Sequence, residues 1–154
     1  MSESIRSRLM RLSLNFYPAL RGTGGRVTYL AADLRELHVK VPLNWRTRNY
    51  VGTIFGGSIY GAVDPFYMLM FMQALGPEYI VWDKAAGIQF KRPGRSTLRA
   101  TLKIEDEEIE SVRAELEQEG KIERTYTIEL VDEAGEVCAL IEKLIYFRVK
   151  ENAG

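Results

Sequence analysis

Residues 49–72 read NYVGTIFGGSIYGAVDPFYMLMFM, and Asp64 is their one charged side chain. A lone carboxylate in apolar surroundings can act as a general base on water, or can itself attack an electrophilic carbon. Gly56 and Gly57 precede it, and Asn49 stands at the head of the run. Paired glycines let another atom approach the backbone closely, or simply make a tight turn. Asp64 has a competing structural reading, because it is followed by Pro65. Asp as cap with Pro at the first helical position is a common helix start. On that reading the helix begins at 65. On the other it begins near 56, and Pro65 bends it by clashing with the Gly61 carbonyl.

The elements that hold these residues follow from the rest of the chain. At 154 residues it is the size of one domain. Lys plus Arg equals Asp plus Glu, 21 each, which gives no support for a nucleic-acid partner. The single Cys138 rules out an internal disulfide and a cysteine zinc cluster, and the single His38 rules out sites needing two histidines. No metal or cofactor motif is present. The N-terminus lacks a secretory pattern, so a reducing cytoplasm is the expected compartment.

Residues 4–20 have helical spacing in Ile5, Leu9, Leu12 and Phe16, with Arg6, Arg8 and Arg11 between them. The expectation is a helix that packs this stripe on its own domain, although a basic amphipathic helix can also lie on a membrane. Two strands are expected over 26–43, with His38 facing solvent. Strands at about 80–92 and 96–104 follow, with KRPGR, residues 91–95, as the turn between them. A short helix spans 106–120, capped by Asp106 and ended by Gly120. A long hairpin closes the chain: 122–130, the turn DEAGE at 132–136, and 137–149. Cys138 reads as a buried small hydrophobe. Residues 151–154 read as a loose tail. The bare run is long enough to cross a membrane. Asp64 at mid-span would cost ~2.5–3.5 kcal/mol there, and the flanking strands alternate like a soluble sheet. A helix apolar on every side is otherwise a buried one. The expected class is α+β, an antiparallel sheet of about six strands wrapped around a central apolar helix.

This order, with NYVGTIFGGSIYGAVD, resembles the hot-dog fold in its phenylacetyl-CoA thioesterase-like branch. The branch pattern is an Asn, a His six residues on, Gly-Gly, then an acid eight beyond the first Gly. Asn49, Phe55, Gly56-Gly57 and Asp64 fall at those spacings. YIVWDKAAGIQFKRPGR, from Tyr79, looks like the strand and turn that follow the helix. The chain is similar to a poorly characterised subgroup, tetrameric acyl-CoA thioesterase-like. The resemblance covers roughly residues 26–149, with residues 1–22 as an added N-terminal helix in a single domain.

The resemblance implies an acyl-CoA thioesterase without metal or cofactor, coenzyme A being part of the substrate. The Gly56 N–H would then be the oxyanion donor, worth ~3–4 kcal/mol elsewhere. Asp64 would be base or nucleophile and Asn49 the positioner of water or thioester. Phe55 and Gly57 would contact substrate, and Lys91, Arg92 and Arg95, with Arg46 and Arg48, are candidate phosphate contacts. Phe55 departs from the branch, which has His there. Tyr60, Phe66, Tyr67 and Met68 read mostly as core, with Met side chains suited to an acyl channel. Eight helical residues rise about 12 Å. One carbonyl therefore cannot touch Gly56 and Asp64 of the same chain, and a homodimer or dimer of dimers is expected. Two other readings remain at this point. One is a non-catalytic acyl-CoA or lipid-binding module, favoured by Phe55 and Pro65. The other is a scaffold that binds partners through its N-terminal helix.

Overall fold

The computed structural model describes residues 2–151; of the tail expected at 151–154, the part beyond Glu151 lies outside them. The elements run α1 (Ile5–Phe16), α2 (Pro18–Gly22), β1 (Arg26–Leu30), β2 (Glu36–Val41), α3 (Gly56–Gly61), α4 (Phe66–Leu75), β3 (Tyr79–Phe90), β4 (Leu98–Lys103), α5 (Asp106–Glu119), β5 (Lys121–Val131) and β6 (Val137–Val149). The strands form one antiparallel sheet in the order β1-β2-β4-β5-β6-β3. The expected class and element order therefore hold, but the N-terminal helix and the apolar central helix are each split at a proline.

Tyr17 precedes Pro18 and is pushed to extended backbone, φ −61° and ψ 122°, so α1 ends and Pro18 opens α2. Between α3 and α4 the chain stays near helical dihedrals, Pro65 sitting at φ −83° and ψ −9°. Pro65 brings no N–H, and the ladder tightens there: the Phe66 N–H reaches the Val63 carbonyl at 3.3 Å. Gly61 does more than ease the bend. A Cβ there would lie 2.8 Å from Thr23 Cγ2.

The core lies between the curled sheet and α4. Phe66, Met70, Phe71 and Leu75 are buried. Phe71 meets Tyr126 of β5 at 4.9 Å and Phe147 of β6 at 5.0 Å. Burial of each such side chain contributes about 1.5–3 kcal/mol. Strands β5 and β6 pair along their length, so Ile122, Ile128 and Leu130 share the inner face with Ile141, Ile145 and Phe147. The DEAGE turn is closed by Asp132, whose Oδ1 accepts from the Ala134 and Glu136 N–H groups.

Three expectations are corrected. KRPGR does not join neighbouring strands, because β5 and β6 lie between β4 and β3. It is a crossover, tied down where the Lys91 and Arg92 N–H groups donate to the Cys138 carbonyl at 2.8 and 3.1 Å. The cap position of α5 is Glu105 and not Asp106, which pairs with Arg35. The third concerns α1. Ile5, Leu9, Leu12 and Phe16 face solvent, and the helix packs through Ser7, Met10 and Leu14.

Polar clips set that rotation. The Asn15 amide donates to the Val27 carbonyl at 2.9 Å and accepts from the Val27 N–H at 2.8 Å. Glu3 accepts from the Leu30 N–H at 3.1 Å and pairs with Arg11 at 2.7 Å. These side chains satisfy the open edge of β1, which would otherwise present unpaired backbone groups. The opposite edge, β3, has strand partners on one side only and runs 12 residues.

Candidate functional site

The loop before α3 is built by Asn49. Its Oδ1 accepts from the Val51 and Thr53 N–H groups at 3.1 and 3.0 Å, and its Nδ2 donates to Thr53 Oγ1 at 2.9 Å. Gly52 takes φ +85° at the turn, a conformation suited to glycine. The loop is pinned to the crossover by the Ile54 N–H on the Gly94 carbonyl at 2.9 Å. Phe55 then enters α3 with extended backbone and no side-chain cap. The N–H groups of Gly56 and Gly57 are first-turn donors with no acceptor among the described residues.

Asn49, Gly56, Phe90, Lys91 and Arg92 line one open cleft of about 390 Å³, floored by Ile54 and Ile59. The expected positioner, oxyanion donor and two of the three turn cations thus converge. Arg95 is exposed and does not line this cleft. Lys91 reaches Gln89 at 2.7 Å and Arg92 is 3.6 Å from Glu136. Phe55 is exposed, its ring lying where a side chain on Gly57 would go: a Cβ there would be 2.4 Å from Phe55 Cε1. The same test at Gly56 meets Phe90 Cζ at 2.8 Å. Both glycines leave room for an aromatic ring.

Asp64 lies elsewhere, at the α3–α4 break, and does not cap α4. Its Oδ1 accepts from the Tyr60 hydroxyl and from Lys143 Nζ, both at 2.6 Å. Lys143 also lies 3.4 Å from Asp83 Oδ2 and 3.3 Å from the Tyr60 oxygen. The Lys143 side chain is 1% exposed, while that of Asp64 is 43% exposed. The capping reading is therefore replaced: Asp64 is the half-open end of a buried charge cluster. One ammonium stands between two carboxylates.

Burial alone would lower the Lys143 pKa, but its bond to Asp64, the Asp83 charge and the Tyr60 bond outweigh burial and raise it. The Asp83 pKa is raised, first by burial and also by the Asp64 charge, with Lys143 pulling the other way. Asp83 Oδ1 is buried with no partner among the described residues. The Tyr60 hydroxyl is pushed up by burial and by its bond to Asp64.

Lys143, Asp83 and Tyr60 were missed as site residues, yet one signal was available. Along β6 the inward positions 139, 141, 143, 145 and 147 read Ala, Ile, Lys, Ile, Phe. A lysine in that row must find a counter-charge. The other chemistry-bearing residues are quiet. Cys138 is buried, and burial raises its thiol pKa. His38 lies on the outer face of β2, with Nε2 2.7 Å from Glu36 Oε1.

No helix among the described residues is long and apolar enough to cross a membrane. The chain superposes on a probable thioesterase of unknown function from Pseudomonas aeruginosa with a TM-score of 0.84 at 20% identity, covering 97% of this chain and 100% of that one. A protein of unknown function from Chlorobaculum tepidum matches with a TM-score of 0.73 at 15% identity, over 94% of this chain and 95% of that one. A thioesterase from Haemophilus influenzae matches with a TM-score of 0.68 at 13% identity, over 99% and 98%. No curated protein matches the chain in sequence. At these identities the likeness establishes the hot-dog, thioesterase-like fold. Residues 6–146 match a single family, and the chain belongs to it: Domain of unknown function (DUF4442).

Proposed function

We propose that this protein hydrolyses acyl-CoA thioesters at a site shared between two copies of the chain, in the cytoplasm and without a metal. The observation that carries the reading is the unpaired Gly56 N–H in a cleft edged by Lys91 and Arg92. The thioester carbonyl oxygen takes the Gly56 N–H as its charge develops, and the two cations meet the coenzyme A phosphates. Asp64 of the other copy takes a proton from water. The water oxygen bonds to the acyl carbon, the carbon–sulfur bond breaks, and the proton passes to the leaving thiolate. Lys143 is a positioning residue, since with Tyr60 it holds one oxygen of Asp64. Asn49 shapes the loop below the cleft. The open 12-residue edge of β3, which bears exposed Phe90 at its end, is where a second copy would add its strand.

A second reading, a non-catalytic acyl-CoA or lipid-binding module, is favoured by Phe55 in place of a polar group and by Asn49, whose amide is already bonded within its own loop.

Free-thiol release from a panel of aliphatic and aromatic acyl-CoAs tests both. Hydrolysis of at least one member is expected, and binding without release by any member favours the module. Two variants test the shared site. Asp64→Asn removes the base. Gly56→Pro removes the N–H at a helical position where proline is tolerated, after Phe55 whose ψ of 131° suits a following proline; the end of the exposed Phe90 ring must turn aside, since a Cβ at Gly56 would lie 2.8 Å from Phe90 Cζ. Each alone should be inactive. After subunit exchange an equal mixture should recover about a quarter of the wild-type activity, since half the dimers are mixed and each holds one intact site. Two folded, inactive variants that never complement would refute a site built from two chains.

A further inference from the structure

Helix α1 has two apolar faces. One holds Met10 and Leu14 against the core around buried Ser7. The other is Ile5, Leu9, Leu12 and Phe16, which are 83%, 62%, 43% and 68% exposed. At helical spacing these four fall in a single narrow stripe opposite Ser7. Asn15 and Glu3 fix this rotation by holding the β1 edge, so the stripe cannot turn inward without breaking those bonds.

The surroundings of the stripe are cationic. Leu12 and Phe16 form one wall of a groove of about 620 Å³, whose other lining includes Arg21, Arg26, Lys40 and Arg46 and no carboxylate. Arg6 flanks the stripe. Among the described residues none of these five cations has a carboxylate within ion-pair distance. The nearby Glu3 carboxylate is taken up by Arg11 and the Leu30 N–H. Trp45 is exposed next to Arg46, whose guanidinium lies 6.0 Å from its ring. In a chain with no net charge, this face has gathered cations around exposed apolar side chains.

We propose that the α1–α2 face docks on an anionic lipid bilayer, with Ile5, Leu9, Leu12 and Phe16 at the headgroup–acyl boundary and the five cations on lipid phosphates. A second copy of the chain fits the face poorly. Self-pairing about a two-fold axis would bring the two sets of unpaired cations together. A nucleic acid would match the charge but leave the stripe in water.

The test is flotation of the full-length protein with vesicles. Phosphatidylglycerol mixed with phosphatidylcholine should retain it at about 0.05 M salt, and pure phosphatidylcholine should not. Raising the salt to about 0.5 M should release it. Leu9→Ser/Phe16→Ser and, separately, Arg21→Gln/Arg26→Gln/Lys40→Gln should each lower the vesicle partition coefficient at least about tenfold. All five residues lie outside the cleft and the Asp64 cluster, so the melting temperature and any thiol release from soluble substrate should not change. Absence of binding to the anionic vesicles overturns the proposal. So does binding insensitive to the Leu9/Phe16 pair, or a fall in oligomer mass on making that pair, which would assign the face to another subunit.

Discussion

Replacing Lys143 by Met keeps the length of the side chain and deletes its charge. The ammonium is buried, with Asp64 Oδ1 at 2.6 Å and Asp83 Oδ2 at 3.4 Å. Its loss leaves Asp83 without a cation, while half-exposed Asp64 can recruit water. Removing one partner of a buried pair costs about 3–5 kcal/mol, which in a chain of this size is roughly 6–20 °C in melting temperature. The pH dependence identifies the cause. The Asp83 pKa is already raised above its usual 3.8, and Lys143 is the influence that holds it down. In Lys143→Met it should rise further. A carboxyl with a raised folded pKa favours the folded state below its unfolded pKa, and that advantage fades as pH rises through the folded value. The deficit of Lys143→Met should therefore be largest near neutrality and shrink on acidification toward pH 4. Lys143 itself has a raised pKa, so its stabilisation is complete below about 10.5 and is lost as pH rises through the folded value; the Met variant should lack that alkaline loss. Asp83→Asn in the Lys143→Met background should recover at least ~1 kcal/mol, because the buried charge is gone. Thermal melts from pH 4 to pH 11 measure all of this. A Met variant within about 1 kcal/mol of wild type at every pH would refute the argument, since Lys143 would then carry no compensated charge.

Other outcomes follow from the same geometry. Asp64→Asn should lower thiol release by ~10²-fold or more, with only a few degrees lost in melting temperature, because Asp83 still faces Lys143 and an amide oxygen can still accept from it; a collapse in stability of the size expected for Lys143→Met would make Asp64 a structural residue instead. Gly25→Ala places a Cβ 2.4 Å from Ala62 Cβ and 3.2 Å from its Cα. Neither neighbour is a flexible side-chain end, so a loss of about 1–3 kcal/mol is expected in denaturant melts, and an unchanged midpoint would count against this packing of α3 on the N-terminal segment. Asn15→Ala removes both bonds to Val27 and should cost about 1–3 kcal/mol, with faster amide exchange at Val27 as its specific mark.

The fold was legible because its signals are repeated. Period-two alternation in Ile122–Leu130 marked β5, the DEAGE turn fixed the hairpin, and an uncharged run of two dozen residues had to be enclosed. Sheet order was not legible: a Pro-Gly turn looks alike whether it joins neighbours or crosses two strands. The rotation of α1 was misread for a related reason. Spacing shows that Ile5, Leu9, Leu12 and Phe16 share a face, but not that Asn15 and Glu3 would anchor the opposite side. Of the residues named from spacing and resemblance, Asn49, Gly56, Lys91 and Arg92 line one cleft, while Asp64 and Arg95 do not. Lys143, 79 positions after Asp64, was lost because a single charge inside an apolar strand is easily absorbed into the count of surface residues.

The two edges of the sheet are handled in opposite ways. At β1, Asn15 and Glu3 cover the backbone groups at Val27 and Leu30. That edge is closed to strand addition, and what remains outward is the apolar and cationic face of α1. At β3 nothing among the described residues covers the outer edge, and it is the longest edge the molecule has. Long open edges invite strand pairing, and proteins that remain monomeric blunt them with bulges, charges or prolines. Here a bulge falls between Asp83 and Ala85, beside the Lys143 cluster, while Ala85-Ala86-Gly87 follow with small side chains that permit close approach. A strand added along this stretch would run past Asp83 of the Lys143 cluster and the Phe90 wall of the cleft. An open edge for self-association at β3 and a separate lipid-docking face at α1 would let a pair of chains assemble without covering that face on either copy, so that two copies could present their basic helices at once.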